Sequence, residues 1–191
     1  MRALWLQLLI ALVARSIPLS GLPLTIDKLE AIDINGTMQW ILIRSSDALN
    51  PILLYLHGGP GHSLIPFAHV ATSQLTDRFT VVYWDQRGAG LSYEAGLPEG
   101  TLNVRQLVED TVAATEYLRG RFGKEKIYLL GHSWGSTLGS LVVQEKPELF
   151  AAYVGVGHVV NQRSLYEGRL AWLTTVMRPL LSYKDRNDIP C

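Results

Sequence analysis

From Leu29 onward the chain alternates between two hydrophobic periods. "LEAIDINGTMQWILIR" holds two strand-like runs around Asn35-Gly36, the dipeptide that accommodates both positive-φ positions of a tight hairpin turn. Asn35-Gly36-Thr37 also reads as a glycosylation sequon, but the hairpin accounts for the same residues with less. Four further runs, "PILLYLHGG", "FTVVYWDQRG", "KIYLLGHS" and "AAYVGVGHVV", are continuously apolar and end in glycine or polar residues. Runs apolar on both faces suit strands covered on both sides, as in a parallel sheet.

Helix-like segments separate these runs. "NVRQLVEDTVAATEYLRGRFG" sets Val104, Leu107, Val108, Val112, Thr115 and Leu118 on one face, with Asn103 placed to cap its start and Gly123 after its end. "STLGSLVVQEKPELF" gives a second helix that stops near Pro147. The pattern predicts an α/β domain: a mostly parallel sheet, an N-terminal antiparallel hairpin at one edge, and helices on both faces. We expect this domain over residues 25–160, and residues 161–191 to begin a helical cap, since Leu165, Leu170, Leu173, Val176 and Leu180 follow a helical period.

Residues 1–24 stand apart. Arg2 precedes a twelve-residue apolar stretch, Ala3 to Ala14, interrupted only by Gln7. A spanning helix needs about 20 residues, so this length suits the core of a signal peptide or an interfacial anchor, or else a short helix packed on the domain. Export or membrane association through residues 1–16 is one expectation, and a cytoplasmic protein is the other. Seventeen basic residues balance seventeen acidic ones without long runs of either sign, which leaves no electrostatic footprint for nucleic acid. The single cysteine, Cys191, excludes a disulfide framework. His57, His62, His69, His132 and His158 form no ligand-spaced pair, so neither a metal nor another cofactor is expected.

The chemistry gathers at glycines. In Gly131-His132-Ser133-Trp134-Gly135 a strand enters and a helix leaves, so Ser133 falls on a sharp turn that exposes its hydroxyl at a helix N-terminus. An earlier strand ends in His57-Gly58-Gly59-Pro60-Gly61, where backbone N–H groups can face a substrate without side-chain obstruction.

HGGPG, DQRGAGLS at Asp85–Ser92 and GHSWGS at Gly131–Ser136, in this order, resemble the α/β-hydrolase superfamily, and more narrowly the proline iminopeptidase family of serine peptidases. The resemblance covers about Leu29 to Asn161. It implies Ser133 as nucleophile and the backbone N–H groups of Gly59 and Trp134 as the oxyanion hole. Gly58, Pro60, His132 and His158 would border a small peptide or ester substrate, while Asp85, Arg87 and His57 would have structural roles. Members of this fold that open epoxides use an aspartate nucleophile, and Ser133 speaks against that chemistry.

In the superfamily an acid and then a histidine follow the serine. Asp185 and Asp188 come after Ser133, but in a polar tail, and no histidine follows them. Proximity alone does not make His158 a base. The chain therefore reads as the nucleophile-bearing part of a longer hydrolase, itself inactive or nearly so. An N-terminal proline aminopeptidase, an esterase or amidase of the same fold, and a non-catalytic domain that keeps the pocket all remain open. The free amine of a proline peptide would need an acidic partner, and Glu167 matches no such position.

Overall fold

A computed structural model of the chain describes residues 24–71, 74–98, 100–158, 167, 168 and 175. The chain divides into two compact units, Met1–His158 and Val159–Cys191. Of the second, Glu167, Gly168 and Thr175 are helical and exposed. The N-terminal apolar segment, Asp185, Asp188 and most of the expected cap lie outside the described residues. No helix among the described residues is long and apolar enough to cross a membrane.

The first unit is built on a six-stranded sheet in the order β1-β2-β4-β3-β5-β6. β1 (Ile26–Ile34) and β2 (Thr37–Ser45) form the antiparallel hairpin, and Asn35 and Gly36 turn between them with φ of 50° and 78°. β2 pairs antiparallel with β4 (Thr80–Trp84). From there the sheet is parallel through β3 (Ile52–Leu56), β5 (Ile127–His132) and β6 (Phe150–Val156). The two-sided apolar runs thus form the parallel part, and the alternating hairpin forms the edge, as expected.

Strand alternation divides the core between two faces. Leu54, Leu56, Ile127 and Leu129 pack with Leu107, Val108, Leu118, Leu138 and Val142 of α2 (Val104–Phe122) and α3 (Trp134–Glu145). On the other face Leu53, Val81 and Tyr83 pack with Ala68 of the short helix α1 (Ala68–Ala71). The caps of α2 form as expected: the Asn103 side chain accepts from the Gln106 N–H at 2.9 Å, and Gly123 adopts φ 60°.

Two expectations need correction. Val104 is 46% exposed, and among the fully buried positions of that helix is an acid, Asp110. Asp110 is held there by Arg87, whose Nε and Nη2 donate to its two oxygens at 2.6 and 2.9 Å. Asn35 Nδ2, Gln39 Nε2 and Gln106 Nε2 donate to the same carboxylate at 2.8, 3.1 and 2.9 Å. The sequon asparagine is therefore tied inward by its own amide nitrogen. The second correction concerns β6, which is not covered on both sides. Ala151, Ala152, Val154, Gly155 and Val156 are exposed, and among the described residues β6 pairs only with β5.

Candidate active site

The exits of β3, β4 and β5 bring the three glycine-rich segments together. At the β5 exit Ser133 has φ 53° and ψ −117°, a conformation that L-residues with a side chain rarely adopt. The geometry explains both flanking glycines. A Cβ on Gly131 would fall on the Gly135 carbonyl and within 2.8 Å of the Ser136 Cα. A Cβ on Gly135 would fall on the Leu56 carbonyl and within 2.8 Å of the His57 oxygen, so α3 can cross the β3 exit only with glycine there.

The turn is held by the backbone. The Ser133 N–H donates to the Val156 oxygen at 2.8 Å, across to β6. Its carbonyl accepts from the Ser136 N–H at 2.9 Å and from the Ser136 hydroxyl at 2.5 Å. The Ser133 hydroxyl makes no hydrogen bond among the described residues, and neither the Gly59 nor the Trp134 N–H donates to a backbone carbonyl there. Trp134 is the first residue of α3, so its N–H belongs to the unsatisfied, positive end of the helix.

Gly58 and Gly59 run beside this turn. A Cβ on Gly58 would stand 3.1 Å from the Ser133 Cβ, so the two segments are in backbone contact. Gly59 has φ 116°, and its peptide bond to Pro60 is cis. A cavity of about 170 Å³ opens here, lined by Gly58, Gly59, His132, Ser133, Tyr55 and Phe67, with His57, His62, Ser63 and Leu64 completing it. Pro60 instead borders a neighbouring cavity of about 250 Å³ with Gly61, Gln86 and Leu102. His158 lies away from both: its Nε2 is 3.3 Å from the Ser140 hydroxyl, and its ring meets Tyr153 edge-on at 6.3 Å.

His57 is buried and both ring nitrogens are engaged. Nε2 accepts the Gln86 N–H at 3.1 Å, which leaves Nδ1 to donate to the Gly58 oxygen at 2.9 Å. Burial pushes its pKa below the ordinary imidazole value, against the raising effects of the Gly58 carbonyl and Asp85. A ring so tied links the β3 exit to the β4 exit. Asp85 is also buried and accepts the Leu91 N–H at 2.8 Å; its backbone oxygen accepts from the Ser92 hydroxyl at 2.6 Å, which in turn accepts the Trp40 N–H at 2.8 Å. Arg87 is spent on Asp110.

Sequence reasoning missed the apolar side of the cavity. Tyr55 had a usable signal, since strand alternation puts it on the same face as His57. Its hydroxyl pKa is raised by burial. Leu64 and Phe67 follow the glycine loop without any period that would mark them. Among the described residues no group of three or more histidine, cysteine or acidic side chains could hold a metal ion.

Comparison with known proteins bears on this arrangement. The family model described as "alpha/beta hydrolase fold" matches residues 51–184. A probable aminopeptidase of Bacillus subtilis is 42% identical over 133 residues, covering 70% of this chain and 42% of that protein. A proline iminopeptidase of Clostridium botulinum is 30% identical over 139 residues, covering 70% of this chain and 45% of its own length. Among solved structures, a proline iminopeptidase-related protein from Thermus thermophilus superposes with a TM-score of 0.61 at 26% identity, over 72% of this chain and 46% of that one. The chain thus spans less than half the length of these relatives.

Proposed function

Because this chain belongs to the alpha/beta hydrolase fold family, we propose that it carries the nucleophile and oxyanion side of a serine hydrolase that removes N-terminal proline from peptides. The observation that carries the reading is the strained backbone of Ser133 at a strand-to-helix turn, with Gly58 and Gly59 alongside. In this reading the Ser133 hydroxyl attacks the scissile carbonyl and its proton passes to a general base. Negative charge develops on the carbonyl oxygen and is met by the N–H groups of Gly59 and Trp134 and by the positive end of α3. The amine then departs with a proton, and water releases the acyl group from Ser133. Among the described residues no histidine paired with a carboxylate faces Ser133, so base and acid are assigned to residues other than these.

A second reading, a general esterase or amidase, is favoured by one feature. Apart from Ser63, Ser133 and two glycines, the lining of the 170 Å³ cavity is aromatic, aliphatic and imidazole, and includes no carboxylate among the described residues to receive a free ammonium. Substrate choice by a full-length hydrolase, with base and acid present, separates the two readings. Proline arylamide cleaved well and its N-acetyl derivative poorly supports the aminopeptidase, whereas equal rates support the esterase or amidase. The nucleophile is tested on the same full-length protein with a fluorophosphonate, which loses fluoride on forming an ester with an activated serine. The adduct should map by mass spectrometry to the peptide holding Ser133 and vanish in Ser133→Ala. Labelling of another serine, or undiminished labelling of Ser133→Ala, would overturn the assignment.

A further inference from the structure

Of the five asparagines in the chain, only Asn35 precedes a glycine. In an Asn-Gly pair the glycine nitrogen readily attacks the preceding side-chain amide, because glycine has no Cβ to obstruct the approach. Here the pair forms the exposed turn between β1 and β2. Yet both groups that would react are engaged. The Gly36 N–H donates to Asp33 Oδ1 at 3.0 Å, and Asn35 Nδ2 donates to Asp110 Oδ1 at 2.8 Å. Positive φ at both residues, 50° and 78°, sets the turn between two paired strands.

We propose that Asn35 is a conformation-gated deamidation site, kept intact by the folded hairpin and lost irreversibly when β1 and β2 open. In the reaction Gly36 N bonds to Asn35 Cγ, the Cγ–Nδ2 bond breaks, and Nδ2 leaves as ammonia with the proton shed by Gly36 N. Water then opens the cyclic imide. Attack at Cγ gives aspartate, and attack at the Asn35 backbone carbonyl gives isoaspartate, whose main chain runs through the side chain. The folded turn opposes the first step twice. The attacking nitrogen is held toward Asp33, and the leaving nitrogen is held by a carboxylate that accepts hydrogen bonds from Arg87 and supplies no proton to a departing amine. Neither product can return to the native site. Aspartate puts a second carboxylate where Asn35 Nδ2 now meets Asp110, and like charges so close repel. Isoaspartate adds a carbon to the main chain of a two-residue turn, which breaks the match between the turn and its strands. Either product loosens the grip of the hairpin on Asp110, the partner of Arg87. A reversible opening of the hairpin thus becomes a permanent mark on the molecule.

The test incubates the 191-residue chain in native buffer and in unfolding urea, followed by trypsin. Cleavage after Lys28 and Arg44 yields a peptide, Leu29–Arg44, whose only asparagine is Asn35. Conversion is read as the mass gain of oxygen in place of NH, and electron-transfer fragmentation separates isoaspartate from aspartate. It should be at least about tenfold slower in native buffer than in urea, since only the open fraction reacts. Asn103, followed by the β-branched Val104, should convert far more slowly than Asn35 in urea. Asp33→Ala removes the acceptor of the Gly36 N–H at an exposed position, so its native rate should rise relative to its own urea rate. Asn35→Asp should unfold at a lower urea midpoint than the wild type. Native conversion as fast as in urea, no excess of Asn35 over Asn103 in urea, an unchanged native-to-urea ratio in Asp33→Ala, or an Asn35→Asp variant as stable as the wild type would each overturn the inference.

Discussion

If the Ser133 backbone is strained for the sake of its position, then Ser133→Gly should make the protein more stable. Ser133 sits at φ 53°, ψ −117°, and a residue with a Cβ held in so sparse a region costs about 1–3 kcal/mol. Glycine relieves that strain but gives up about 0.5–1 kcal/mol through the greater freedom of its unfolded chain. The balance favours Ser133→Gly by about 1 kcal/mol. Ser133→Ala is the reference, because it keeps the Cβ and the strain and removes only a hydroxyl without a hydrogen-bond partner among the described residues. Its change should stay within about 0.5 kcal/mol of wild type. In urea the glycine variant should unfold at a midpoint higher than the alanine variant by ~0.5 M, for a slope near 2 kcal/mol/M. A glycine variant equal to or less stable than the alanine variant would refute the claim that strain is stored at this turn.

Three further outcomes follow from the same packing. Asp110→Ala leaves the Arg87 guanidinium, 3% exposed, without its counter-ion, and should cost about 3–5 kcal/mol in urea unfolding; a loss below about 1 kcal/mol would contradict a buried pair. His57 has a folded pKa below its unfolded value, so the unfolded chain binds the extra proton. Its contribution is complete above about pH 6.5 and is lost as pH falls toward the folded value, and that slope should be absent in His57→Gln. Gly120, exposed in α2 with nothing within 4 Å of an added Cβ, should accept alanine with a gain of up to about 1 kcal/mol, read as a higher melting temperature.

What the sequence disclosed, and what it hid, follows from the range of the interactions. The hairpin at Asn35-Gly36, the α2 caps and the glycines flanking Ser133 are local demands of backbone geometry, so each leaves its mark within a few residues. Burial of β3, β4 and β5 was equally plain, because a strand covered on both faces carries apolar residues at successive positions. The same reasoning misjudged β6: an apolar run states what a strand tolerates, while its neighbours decide what is covered. Asp110 was hidden for a different reason. Its partner Arg87 lies 23 residues earlier, and nothing local predicts that the two meet. One signal was available, since an acid at 110 interrupts the buried stripe of Leu107, Ala114 and Leu118, and a charge on such a stripe requires a partner.

That hidden pair bears on why the strain at Ser133 can persist. A sparse backbone conformation survives only where the surroundings over-determine it. At Ser133 the constraint from within is the carbonyl's two bonds to Ser136 and the N–H bond to Val156. The constraint from without is the close crossing of Gly135 over the β3 exit, which fixes α3 against Leu56 and His57. His57 is in turn tied to the β4 exit through Gln86, and the next residue, Arg87, is anchored by Asp110 of α2, which also grips the hairpin through Asn35 and Gln39. The chain of contacts runs from the hairpin edge to the strained serine through residues that, Asn35 apart, are buried. Loosening Asp110 should therefore cost more than the stability of one ion pair: the turn would lose part of what holds it, and fluorophosphonate labelling of Ser133 should slow in Asp110→Asn even where the protein remains folded. Unchanged labelling in a folded Asp110→Asn would mean that α3 alone fixes the serine.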